Sequence, residues 1–226
     1  MGWLEERRQK KAEEAYQSEL TKWQNQIDNL SACIKLAQTF NGEQSDQIIL
    51  HSGEALYFYV TNCSLIEERA GPGHWTGKSS GFSIPVAHID GSAIRYRIGA
   101  SKGHFESGEP VEKAIDSGTT FITDTRVVYQ GENQTREIDY SKLIAYNHDQ
   151  QKGETSFSLS NRQKPITIHY GINVMPAFVF RLSLAMSHYK NSVPQLIQQL
   201  EQSLSKLQQT KPVLPNSTND NQVVRE

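Results

Sequence analysis

The sequence predicts an α+β protein: an antiparallel β sandwich or barrel closed by a C-terminal helix, preceded by a long coiled-coil-like helix. Three observations carry this reading. Up to Phe40 the chain holds no proline and, after Gly2, no glycine, while apolar residues recur three and four positions apart. From Ile48 to Tyr170, short runs dense in β-branched and aromatic residues are punctuated by Gly, Asn, Asp and Ser. Beyond Pro176 the spacing becomes helical again.

The first element is assigned to residues 1–42. Tyr16, Leu20, Trp23, Ile27, Leu30, Ile34 and Ala37 fall alternately four and three apart, the a/d seam of a coiled coil. A narrow apolar seam on a long helix is not stable alone. It must pack on the chain's own C-terminal helix, on a second copy or on a partner helix. Gly42 then ends the element.

The β domain with its capping helix is assigned to residues 48–190. Strands are expected over 55–69, 81–87, 93–100, 112–118, 119–125, 126–131, 135–140, 143–149, 155–160 and 166–171. No long helical period separates them, so the connections are hairpin-like and the pairing antiparallel. Asp124 and Thr125 mark one turn, and Arg126 follows as a hairpin residue whose fork of donors can hold turn carbonyls or a carboxylate.

Residues 176–189 form a well-buried helix and 191–210 a second, amphipathic one. Ser192 with Gln195 reads as a capping box, and Pro194 suits the first turn. Leu196, Leu200, Leu204 and Leu207 make the apolar stripe. Residues 211–226 are Pro/Asn-rich and polar, and read as a disordered tail.

Composition narrows the function. The 23 basic and 25 acidic residues nearly balance, so the chain is not expected to coat nucleic acid. No apolar run approaches the ~20 residues of a membrane span, and the N-terminus is charged where a signal peptide would be apolar. Cys33 and Cys63 form no close pair, which fits a reducing, cytoplasmic setting, with the inner membrane face as the peripheral alternative.

Catalytic signatures are lacking. Ala70–Gly81 ends in Gly77-Lys78-Ser79, but Pro72 stands where a phosphate-binding loop needs glycine, and the next segment reads as strand. The seven histidines show no ligand spacing, and neither cysteine sits in a nucleophile motif. The expectation is a non-enzyme with no metal and no cofactor.

Basic residues of the β segment offer a candidate anion site. Arg95 and Arg97 lie on one face of a strand because side chains alternate. Arg162 and Lys164 occupy a probable loop, "SNRQKP". Together they are candidates for a phosphoinositide head group or an acidic peptide; the alternative is ordinary solvated charge.

The stretch from Ser117 to Asp149 carries a small residue at Gly118, a strand ending in Thr123, Arg126 after the turn, the strand Val127–Tyr129, and a later strand over Tyr140–Tyr146. In this it resembles GRAM-type and bacterial members of the pleckstrin-homology superfold. The chain is also similar to a group of uncharacterised bacterial proteins through Gly73–Trp75, Arg95–Gly103 and Ser160–Pro165. The resemblance spans about Ile48–Tyr189 and implies two orthogonal antiparallel sheets closed at one end by the helix from Pro176 to Tyr189. It implies lipid, peptide or protein binding. The combined expectation is a non-enzymatic scaffold or adaptor working by protein–protein interaction or self-association through the N-terminal helix. The alternative is a peripheral membrane or other anionic-ligand module.

Overall fold

The computed structural model describes residues 2–89 and 92–213, with side chains described for all of these except Glu5 and residues 70–110. Helix α1 (Trp3–Thr39) leads into strands β1 (Leu56–Ile89), β2 (Ser92–Thr123), β3 (Arg126–Gly131) and β4 (Thr135–Asp139). A 3-10 turn at Tyr140–Lys142 connects to β5 (Leu143–Asp149), β6 (Glu154–Leu159) and β7 (Ile166–His169). Helices α2 (Met175–Tyr189) and α3 (Val193–Gln209) complete the chain.

All seven strands join one antiparallel sheet in the order β4-β3-β2-β1-β7-β6-β5. This corrects the expected sandwich or barrel, because the sheet is not closed. Its edges, β4 and β5, are consecutive in sequence and separated only by Tyr140–Lys142. Those residues can span no more than about 14 Å, so the sheet must curl until its edges approach at one corner. No ladder forms there: β4 offers the charged Arg136 and Glu137, and β5 is mostly exposed, a composition that keeps edges unpaired.

The hairpin around Asp124 and Thr125 falls where the sequence placed it, with Phe121 opposite Val128 and Ile122 opposite Val127. The first two strands differ from expectation. Instead of separate strands joined by a Gly-rich connection, β1 and β2 run on as one ribbon, registered from Leu56↔Thr123 to Ile89↔Ser92. Glycine stands opposite glycine at Gly71↔Gly108, Gly77↔Gly103 and Gly81↔Gly99, so cross-strand pairing absorbs residues that read singly as breakers. Irregular register occurs around Gly71–His74 and Pro85–Ala87, next to prolines that cannot donate to a ladder.

The core lies inside the curl. Cys63, Leu65, Ile122, Val127, Tyr129, Ile138, Phe157 and Ile168 meet Phe178, Leu182 and Ala185 of α2. These α2 positions repeat at four and three residues, which puts them on one helix face. Tyr170, just after β7, stacks on Phe178 with ring centroids 4.0 Å apart. Pro176 occupies the first turn of α2, where its missing N–H is no loss.

Helix α3 starts at Ser192, but the capping box does not form. The Ser192 hydroxyl donates to the Ser187 carbonyl, and no side-chain cap reaches the α3 amides. The tight link between α2 and α3, with Asn191 at φ 52°, turns Ser192 back toward the helix it leaves. From residue 214 onward, the expected C-terminal tail lies outside the described residues.

Candidate functional site

The residues that the sequence pointed to fall in three arrangements: a buried charged cluster at the hairpin turn, a cleft holding two of the expected cations, and the α1–α3 helix pair.

At the turn, Arg126 is answered by Glu54 from the loop before β1. Its Nε donates to Glu54 Oε1 at 2.8 Å and its Nη2 to Oε2 at 3.0 Å, the two-toothed match of guanidinium and carboxylate. Nη2 also donates to the Ile49 carbonyl at 2.9 Å. Around them the Thr123 hydroxyl donates to Glu54 Oε1 at 2.6 Å, the Thr125 hydroxyl at 2.9 Å, and the His51 amide reaches Oε2 at 2.7 Å.

The Glu54 side chain is 1% exposed and that of Arg126 10%. Burial alone would raise the Glu54 pKa, but Arg126, the His51 amide and the two threonines outweigh it and hold the carboxyl down to about 2. The cluster ties the loop around Ile49–Glu54 to the β2–β3 turn. It leaves neither charge free for a ligand, so Arg126 is the structural carboxylate-holding residue that the hairpin pattern suggested.

Two residues of the expected anion site line one cleft. Arg162 and Lys164 are both exposed in the β6–β7 connection and line a cleft of about 340 Å³ with Glu67, Glu68 and Glu112. Among the described residues they take part in no ion pair, whereas Glu67 faces Arg136 and Arg69, and Glu112 faces Lys152. The cleft is thus mixed in sign.

Arg95 and Arg97 stand opposite Pro85 and Ser83 in the β1–β2 ribbon. Ser83 is sixteen positions along β1 from Glu67, a path of about 50 Å of strand. Their side chains lie outside the described residues.

The helix pair is built from the two apolar stripes. On α1 all seven seam residues are drawn away from solvent, with Cys33 and Leu36 beside them: Tyr16, Leu20, Trp23, Ile27 and Leu30 are half-buried, and Ile34 and Ala37 are buried. On α3 the stripe of Leu196, Ile197, Leu200, Leu204 and Leu207 is half-buried throughout, and no residue of α3 is fully buried. The Trp23 indole donates at 2.8 Å to the Leu207 carbonyl in the last turn of α3, which also accepts from the Thr210 amide and hydroxyl. Leu36 of α1 and Leu196 of α3 both pack on the main core, so the helices run antiparallel from there.

Among the described residues no group of three or more His, Cys, Asp or Glu could hold a metal ion. None of their helices is long and apolar enough to cross a membrane. Sequence reasoning did not single out Glu54 or Arg181. Both are charged side chains whose partners lie far away in the chain, which leaves no local signal. No protein-family model, curated protein or solved structure matches the chain.

Proposed function

We propose that the chain is a non-enzymatic adaptor that self-associates through its α1–α3 helix pair, with a pleckstrin-like β domain as its rigid body. The observation that carries this is the incomplete burial of the pair. Two apolar stripes face each other, yet all five named α3 residues and five of the seven on α1 stay half-buried. Two helices alone enclose only one side of such a seam. A second pair packed across it would complete a four-helix core of the kind that bundles use.

At the polar start of α1, Glu5, Glu6, Glu13 and Glu14 flank Arg7, Arg8, Lys10 and Lys11. Trp3 and Leu4 are exposed at 66% and 65% at the tip of this segment. The pleckstrin-like element of the reading is supported by the strand order, the corner between β4 and β5, and the helix that follows β7 into the core.

Replacing Leu20 and Leu204 with glutamate tests the assembly by sedimentation velocity. The doubly charged seam should sediment as a monomer while near-UV signals of the β core persist. Unchanged sedimentation in a folded variant contradicts the reading. The anionic-membrane alternative has less support, because Arg162 and Lys164 share their cleft with three glutamates.

A further inference from the structure

A groove of about 740 Å³ opens between the uncovered edge of β1 and helix α2. Its walls include Phe40, Tyr57, Phe58, Tyr59, Tyr170 and Arg181, with Glu43 on the rim. Two independent features set it apart.

The first is a strand edge. Along one side β1 pairs with β2, and along the other β7 reaches only Ser64, Leu65 and Ile66. A single bridge from Glu43 covers Leu56. Between them, among the described residues, Tyr57–Cys63 have no strand neighbour on that side. A register shift between Val60 and Cys63, with Asn62 at φ 58°, bends the edge at this point. An open edge of this kind accepts an added strand through its backbone groups.

The second is Arg181. The side chain is half-buried, with its guanidinium carbon 4.9 Å from the Phe40 ring centroid and 5.7 Å from that of Phe58. Among the described residues it makes one hydrogen bond, from Nη1 to the Tyr57 carbonyl at 3.3 Å. Among the described residues no carboxylate lies within ion-pair distance of it. Burial lowers its pKa from the ordinary value and Glu43 pulls it back up; an arginine stays charged under either influence. Two aromatic rings therefore hold a cation whose remaining donors find no acceptor among the described residues.

We propose that this groove binds an extended segment of a protein partner bearing a carboxylate side chain. The segment's backbone adds to the β1 edge at Phe58–Asn62, its apolar residues rest on the aromatic wall, and its carboxylate takes the free donors of Arg181. The volume falls in the range of pockets that take a small ligand or a few residues. Glu43 opposes an acidic guest from the rim, which gives the proposal a second sign to test. None of the α1–α3 stripe residues takes part, so peptide binding and self-association succeed or fail separately.

The test titrates two capped pentapeptides into the isotope-labelled full chain: alternating Val and Glu, and the same peptide with Gln for Glu. The expected result is saturable shifts at the Phe58–Asn62 amides and the Arg181 Nε–H with the Glu peptide, and about tenfold weaker binding of the Gln peptide. Arg181→Lys, which keeps the charge but loses the fork, should weaken the Glu peptide by about tenfold. Glu43→Gln should tighten it, and this arm decides the matter if the Arg181 variant fails to fold. Equal affinity for the two peptides, shifts confined to another part of the sheet, or free glutarate matching the Glu peptide would each overturn the proposal.

Discussion

At the scale of single residues, Glu54 and Arg126 matter most. Their pairing is buried, two-toothed and supplemented by two hydroxyls and a backbone amide, so removing one partner strands the other charge in the core. Glu54→Gln should cost about 3 kcal/mol in a denaturant titration. Glu137, 3.3 Å from Arg126 and half exposed, is too solvated to replace it. The same cluster sets a pH dependence. The folded pKa of Glu54 is depressed, so its stabilisation is complete above the ordinary carboxylate value, ~4.3, and is lost as pH falls through about 2. Stability of the native chain should therefore fall more steeply below pH ~4 than that of Glu54→Gln. Parallel curves would show that the pair contributes nothing. The arginine's role was readable from its place after a turn; its acid was not, because seventy-two positions separate them.

Among the elements, the helix pair depends on few anchors. Trp23 gives α1 a side-chain hydrogen bond to α3, and Lys211 lies 5.8 Å from the same ring. Trp23→Phe keeps most of the packing and removes the indole donor, at a cost of about 1 kcal/mol. Hydrogen exchange should then accelerate in the last turns of α3 while β2 and β3 keep their protection. Uniform acceleration would mean that the pair does not open separately from the sheet.

The helices and the short strands were legible because their periods are local: three and four for the seam, two for the strands. The β1–β2 ribbon was not, because pairing of glycine with glycine across strands leaves no mark on either strand alone. The open edge of the sheet was also hidden. Whether β4 meets β5 is decided by curl and by the charges at their edges rather than by strand content. The capping box at Ser192 had the right residues, but a tight turn with Asn191 at positive φ aimed the hydroxyl elsewhere.

The molecule as a whole presents two separate surfaces. One is the half-covered α1–α3 seam; the other is the groove where, among the described residues, Tyr57–Cys63 of β1 have no strand neighbour and no carboxylate lies within ion-pair distance of Arg181. The four cations expected to form one site do not occupy one place in the backbone: Arg162 and Lys164 share a cleft, while Arg95 and Arg97 belong to the far ribbon. Spacing along a chain could not reveal that, since the separation comes from how long the ribbon runs.

The central claim is that the half-buried seam is completed by a second copy. Light scattering on the full chain at micromolar concentration measures this directly. The account predicts a molar mass of twice 25.5 kDa, falling to the single-chain value when Leu20 and Leu204 carry charge. A native chain that stays at 25.5 kDa across the whole concentration range contradicts it.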